Sequence, residues 1–329
     1  MTGRRPTSAD VAREAGVSRA TVSYVLNDAP GERIAQPTRE RVLAAAARLG
    51  YAPSLAGRTL ANGHSDIVLL AMPDVPAGEL TSRFVDAVTR SLAAQGLTLV
   101  VHFDVPAAPR LPRLAAMLSV RAVLSLFPLP DADLAALRRV GIRAVPAGTG
   151  SDGLATAALL RRQGRMQVEH LAATGHTRLA YALPADPRLS VFAGPRQDGV
   201  RQACADRELP APVPFTVPDD PSAVTAAVRA LLADAPQVTA ICAYNDEVAL
   251  AALHGLRELA VDVPGRIAVI GVDGIPLAAY SAPPLTTIAV APAAAALHLA
   301  RSAVARLAGE RATPVPVEDV LHLIPRATT

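Results

Sequence analysis

Arg19, Ala20, Ser23 and Tyr24 fall on one side of a short helix read at about 100° per residue, with Val22 and Val25 on the other. That side carries a guanidinium, a methyl, a hydroxyl and a phenol, and the major groove of DNA offers a partner for each. The alternative is the solvated face of a small helical subdomain, which helix pairs present far more often. Other chemistry is sparse. His170, His176, His254 and His298 are scattered on helices or at their ends, none with a partner at metal-ligand spacing. Cys204 and Cys242 fit no metal motif and read as small apolar residues of a reducing compartment. Gly148-Thr149-Gly150-Ser151-Asp152-Gly153 is a literal G-x-G-x-x-G after a strand, which admits a nicotinamide-dependent oxidoreductase as an alternative. Against it, no acidic residue closes a strand about twenty residues later, and the stretch that follows is an arginine-rich helix. No catalytic residue, metal or cofactor is therefore expected.

The elements that must position the four exposed side chains lie close by. Thr7 or Ser8 can cap a first helix, with Asp10 in its first turn and Val11, Ala12 and Ala15 as its apolar positions. Gly16 sits where the helix must stop, and Ser18 caps a second helix that starts at once. So short a turn forces a steep crossing, a helix-turn-helix. After a loop at 28–36, Thr38 is expected to cap a third helix with Val42, Ala45, Ala46 and Leu49 in one stripe and Gly50 at its end. In Tyr51 to Leu60, Pro53 breaks the chain and Ser54 can cap a turn or two. Gly57 costs that short helix about 1 kcal/mol against alanine, so it forms only when something holds it.

Charge is uneven. Residues 1–63 hold nine arginines against five acidic residues, whereas the rest holds 23 basic and 24 acidic, so the net +3 resides in the first fifth of the chain. A basic small domain on a near-neutral large one suggests a polyanionic partner. All 32 basic residues are arginine. No apolar run approaches the roughly 20 residues of a membrane span, and no apolar segment follows Arg4 and Arg5 as in a secretory signal. A cytoplasmic protein with no membrane partner is expected.

From Asp66 short apolar runs alternate with longer amphipathic stretches. Strands are expected at 67–72, 98–103, 122–127, 143–147, 179–183, 214–217, 240–243, 267–272 and 287–290. Helices are expected at 80–95, 112–119, 132–140, 164–173, 195–207, 222–234, 246–259 and 293–307. Near-continuous apolar strands between helices imply parallel sheets covered on both faces, and nine strands are many for one sheet. The expected architecture is an all-α helix-turn-helix domain over 1–63 followed by an α/β domain over 64–329. The latter has two doubly wound parallel-sheet lobes, 64–162 with 291–318 and 163–290 with 319–329.

DVAREAGVSRATVSYVLN at 10–27, TRERVLAAAARLGYAPS at 38–54, Leu60, VEHLAATGH at 168–176, AYNDEVALAALHGLRELAVDVPGRIAVIGVD at 243–273 and PPLTTI at 283–288 resemble the lactose/galactose repressor family of bacterial transcription regulators. The likeness is highly specific at the N-terminus and loose over 74–165. It implies a homodimer on palindromic double-stranded operator DNA, with the helix at 18–26 in the major groove of each half-site. By resemblance, Arg19, Ala20 and Tyr24 read bases, while Ser18, Thr21, Ser23 and Asn27 hold phosphates or brace the turn. Tyr24 departs from the arginine common at its position and cannot make that residue's bidentate pair with guanine. Leu60 matches a hinge-helix leucine wedged into the minor groove, the hinge spanning about 54–61, and Gly57 departs from the usual alanine.

The larger part resembles the periplasmic-binding-protein-like sensor of such repressors, with a small-molecule effector, plausibly a carbohydrate, between its lobes. Arg196 matches an arginine that holds effector oxygens, and Asn245 and Asp273 match polar positions at strand ends facing the cleft. A surface or capping role is the plain alternative for each. The loops at 73–80 and 220–221 lack the aromatic residues often used to stack on a sugar. A solute-binding protein shares the two-lobed fold but would need a signal sequence and would lack the helix pair.

Overall fold

The computed structural model describes residues 6–26, 34–51, 59, 63–76, 78–106, 110–146, 156–307, 310 and 320–329. Contacts group the chain into two units, 1–66 with 117–121 and 67–116 with 122–329.

In the first unit, α1 (Ser8–Ala15) begins with a reciprocal capping box. Asp10 N donates to Thr7 Oγ1 at 3.4 Å, and Thr7 N donates to the Asp10 carboxylate at 2.9 Å. Thr7, not Ser8, is thus the cap. Gly16 closes α1 in the left-handed region at φ 64°, where it alone carries no Cβ penalty. Three residues later α2 (Arg19–Leu26) begins. The third helix, α3 (Gln36–Leu49), starts before Thr38: Ala35 is its N-cap, with no side-chain bond, and Pro37 lies in the first turn. Proline is preorganised there and lacks only an N–H that would have been unpaired, so the helix needs no threonine cap. Val11, Ala12, Ala15, Val22, Val25, Val42, Ala45 and Ala46 form the small core of this unit.

The second unit holds two sheets. The first contains β1 (Ile67–Pro73), β2 (Thr98–Asp104), β3 (Ala122–Ser125) and β4 (Arg143–Pro146), all parallel, in the order β2-β1-β3-β4. Its helices are α4 (Glu79–Ala93), α5 (Leu111–Met117) and α6 (Asp131–Arg139), joined late in the chain by α11 (Pro292–Leu307). Val68, Leu70, Val88, Leu92, Leu124 and Leu299 pack in one cluster, so α4 and α11 share one face of this sheet.

The second sheet contains β5 (Leu179–Pro184), β6 (Val213–Val217), β7 (Ala240–Ala243), β8 (Ala268–Asp273), β9 (Thr286–Val290) and β10 (Leu321–Ile324), in the order β10-β9-β8-β7-β5-β6. Only the β9–β10 pair is antiparallel. On one face lie α7 (Thr156–Ala173) and α8 (Ser190–Ala205), and on the other α9 (Pro221–Asp234) and α10 (Asp246–Glu258). Strands β7, β8 and β9 are buried at every residue, as strands covered on both faces must be.

Two helices start earlier than the sequence suggests. The periodicity places starts at Gly164 and Pro195, yet α7 begins at Thr156 and α8 at Ser190. A 3-10 turn at Pro187–Leu189, capped by Asp186, hands the chain into α8 before the proline is reached. Gly164 is interior because α7 and α8 cross there with backbones almost touching: a Cβ on it would lie 2.1 Å from Arg196 O, and one on Gly199 2.0 Å from Arg161 O. The last strand, β10, was not anticipated; its LHLI segment is short and gains its role by pairing with β9.

Gly199→Ala should therefore force the two helices apart. The expected cost is about 3 kcal/mol, lowering the melting temperature by roughly 6–12 °C in a calorimetric scan; an unchanged transition would contradict the close crossing.

Candidate nucleic-acid interface and ligand cleft

On α2, Val22 and Val25 are buried in the core of the first unit, while Arg19, Ala20, Ser23 and Tyr24 are exposed and Thr21 is half-buried. Ser18 Oγ accepts from Thr21 N at 3.0 Å, and the two hydroxyls lie 2.9 Å apart. Both therefore brace the start of α2, a contribution of about 1 kcal/mol. Arg48 pairs with Glu14 at 3.1 Å and Arg41 Nε reaches Ala15 O at 3.5 Å, tying α3 to α1. Arg19 makes no ion pair among the described residues. Asn27, Leu60 and, apart from Thr59, the hinge at 54–61 lie outside the described residues, as does the loop at 148–153.

In the second unit the strand order reverses between β1 and β3 and again between β5 and β7. Doubly wound sheets bind ligands beside the carboxyl ends of their strands at such reversals. The structure brings two of the three expected residues together there. Arg196 Nη2 donates to Asp273 Oδ1 at 2.8 Å, both side chains being nearly inaccessible. Arg196 Nε donates to Gln163 Oε1 at 2.6 Å and Nη1 to Tyr244 O at 2.8 Å, and the guanidinium sits 4.9 Å from the centre of the Tyr244 ring. Burial opposes the charge on Arg196, but the Asp273 carboxylate together with Tyr244 and Tyr181 outweighs it, and the pKa is raised. Burial likewise pushes Asp273 above the usual carboxylate range, with Arg196 drawing it back. Asp273 has φ 108°, a strained backbone that a non-glycine residue holds only where its surroundings dictate it.

Asn245 has a capping role. Its Oδ1 accepts from Val248 N at 2.9 Å as the N-cap of α10, and its Nδ2 donates to Glu247 at 3.3 Å. Sequence reasoning missed Gln163, Tyr244 and Asp246. Asp246 is buried behind the ion pair and accepts from Thr287 Oγ1 at 2.6 Å and Ile275 N at 2.9 Å. Gly271 makes room for it, since a Cβ there would lie 2.1 Å from Asp246 Oδ1. The only sequence signal was its place in the first turn of a helix, which reads as a dipole-complementing surface acid.

Side-chain contacts join the two sheets across this region. Arg188 is held by Asp186 at 2.7 Å and reaches Asp74, beyond β1, at 3.5 Å. Phe127, beyond β3, meets Phe192 of α8 edge to face, with centroids 5.1 Å apart and planes at 76°. Among the described residues no group of three or more His, Cys, Asp or Glu side chains is placed to hold a metal, and no helix is long and apolar enough to cross a membrane.

A helix-turn-helix unit and a two-sheet α/β unit with a polar pair at the strand ends define a class, the ligand-sensing DNA-binding regulator. The bacterial regulatory protein profile of the lacI family matches residues 7–54, and the periplasmic binding protein-like domain matches 168–329. The regulator GalR of Salmonella typhimurium is 33% identical, over 95% of this chain and 92% of its own. CelR of Thermobifida fusca is 32% identical over 98% of each. Among solved structures, a CelR–cellobiose complex is 27% identical with a TM-score of 0.65, over 99% of this chain and all of the other. The Lac repressor dimer bound to operator and an anti-inducer shares the fold at a TM-score of 0.80, with 24% identity over 99% of each chain. The chain belongs to the lacI family of bacterial transcriptional regulators, and its first unit is the DNA-binding domain of that family.

Burial raises the Asp246 pKa to about 7, although Thr287 and Ile275 act to lower it. A carboxyl protonated more readily when folded stabilises the fold fully below its unfolded value near 3.8, and this contribution is lost as pH rises through 7. Asp246→Asn should therefore flatten the stability profile between about pH 4 and 7 in urea titrations. An identical slope in the variant would contradict the assignment.

Proposed function

We propose that the chain is a homodimeric repressor, cytoplasmic, that binds a palindromic operator through α2 and is switched by a small carbohydrate or related metabolite between its lobes. The carrying observation is the exposed Arg19, Ala20, Ser23 and Tyr24 face, set on a capped helix whose other side is fixed in a core. In this reading Arg19, Ala20 and Tyr24 face base edges, Ser18, Thr21, Ser23 and Asn27 serve phosphates and the turn, and Leu60 wedges the minor groove. Arg196 and Asp273 hold the effector, with Asn245 at the margin. The domain division is 1–63 with its hinge and 64–329 in two lobes, 64–162 with 291–318 and 163–290 with 319–329. The similarity to CelR, whose solved complex contains cellobiose, supports a carbohydrate effector. The likeness to a repressor dimer on its operator supports the dimer. Effector binding would alter lobe closure and so operator affinity, a coupling between two sites.

Arg19→Ala should lose about 1–3 kcal/mol of discrimination on an operator selected from random DNA, while salt-sensitive non-specific binding persists. Equal loss on every sequence would contradict base reading. A thermal-shift screen of sugars and nucleosides should find a ligand that stabilises the protein by about 2.7 kcal/mol at a hundredfold excess over Kd. A wholly flat screen would count against effector control.

A further inference from the structure

Ser65 is almost wholly buried, two residues before β1. Its hydroxyl donates to Leu118 O and Ser119 O, both at 3.0 Å, and its N–H donates to Ser119 O at 2.8 Å. Those acceptors lie just past α5, which ends at Met117 without a glycine, and the last carbonyls of a helix need donors from outside it. Ser119 takes φ 47°, in the left-handed region that a non-glycine residue holds only where its neighbours fix it. A serine in one segment thus closes the end of a helix in another, 53 and 54 residues away.

Chain order gives this bracket a second meaning. Among the described residues after Leu60, Ser65 is the first that is hydrogen-bonded to a distant segment. The turn it bonds, 117–121, groups with the first unit, whereas the rest of α5 before it and β3 after it belong to the second. The turn therefore ties the first sheet to the segment that leads back to the DNA-binding domain. The reach of that segment depends on where it is fixed. With Ser65 released, the chain is held by the β1 ladder from Ile67 on, so each tether gains up to two residues. Two residues span at most about 7 Å of extended chain. One base pair adds about 3.4 Å of rise along DNA, so this slack matches a half-site displaced by about two base pairs.

We propose that Ser65 is a positioning residue for operator recognition: its hydroxyl fixes where the tether to each DNA-binding domain begins, and so sets the half-site spacing that the dimer accepts. The proposal rests on the dimeric-operator reading and adds the residue that enforces its geometry. Ser65 itself touches no DNA, so salt-sensitive non-specific binding is independent of it.

The test uses the full-length chain with an operator selected from random DNA, copies of it with one base pair added or removed at the centre, and a non-operator duplex of equal length. Gel shifts should show the wild type binding the altered copies on the order of tenfold more weakly than the parent. Ser65→Ala deletes both hydroxyl bonds and leaves the N–H bond, and Ser65→Cys keeps the size with a much weaker donor. Each should bind the parent operator on the order of tenfold more weakly, as the loss of one buried hydrogen bond predicts. Each should also bind the altered copies within about threefold of the parent. Non-operator affinity and its salt slope should match the wild type. Ser119→Gly, which keeps the carbonyl acceptor and suits a positive φ, should behave as the wild type does. Melting curves report folding, and the cysteine variant decides if the alanine variant does not fold. A spacing preference unchanged in both variants would overturn the proposal. So would equal losses on operator and non-operator DNA, or loss of cooperative melting in both variants, either of which marks Ser65 as a structural brace alone. If the wild type binds no operator or shows no spacing preference, the dimeric-operator reading falls and the proposal with it. If it shows both and the variants keep them, only the role of Ser65 falls.

Discussion

The buried contact between Arg196 and Asp273 is the interaction on which the polar cluster at the strand ends of the α/β unit depends. Two charges out of water are costly, and their attraction repays that only when the remaining donors are also met. Here Gln163 and the Tyr244 carbonyl each take a further N–H, and the Tyr244 ring lies against the guanidinium. Each partner imposes its own demand on the fold. Gln163 can reach Arg196 only because α7 and α8 cross at backbone contact, which requires Gly164 and Gly199. Asp273 can turn toward α8 only from a left-handed backbone at the end of β8, followed by Gly274, where a Cβ would press within 2.6 Å of Ala289.

A second buried carboxyl, Asp246, stands behind the first. It links the start of α10 to Thr287 on β9 and to the chain leaving β8. Three consecutive strands and the helices on both their faces thus converge on one polar patch inside an otherwise apolar sheet. The carboxyl ends of β5 and β7 flank the strand-order reversal of this sheet, the place where doubly wound sheets bind ligands.

The DNA-facing half is organised by local chemistry instead. A capping box at Thr7 and Asp10, a left-handed Gly16 and the Ser18–Thr21 brace fix α1 and α2 within about twenty residues. Its core is built largely of valine and alanine. Small side chains let the three helices approach closely, and leave the outward side of α2 to carry polar groups without cost to packing.

Much of this was legible in the chain itself. The alternation of apolar runs and amphipathic stretches marked every described strand but β10, because strands of a sheet covered by helices are largely apolar. The helix-turn-helix was legible because capping residues, a glycine stop and a 3.6-residue stripe all act within a few residues of one another. Periodicity faltered at Gly164 and Pro195, residues that usually end or begin helices but here lie inside them, Gly164 at the contact with α8 and Pro195 beyond a 3-10 turn that has already started its helix. Arg196 and Asp273 were marked singly by resemblance. Their pairing across 77 residues, the choice of Gln163 and Tyr244 as neighbours, and the meeting of Phe127 with Phe192 were settled only when parallel strands brought distant ends to one edge. The sequence by itself determined the local elements and which face of each is apolar, since those follow from short-range backbone and solvation preferences. Tertiary structure alone decided which polar groups meet, because a buried charge takes its meaning from partners that no local spacing records.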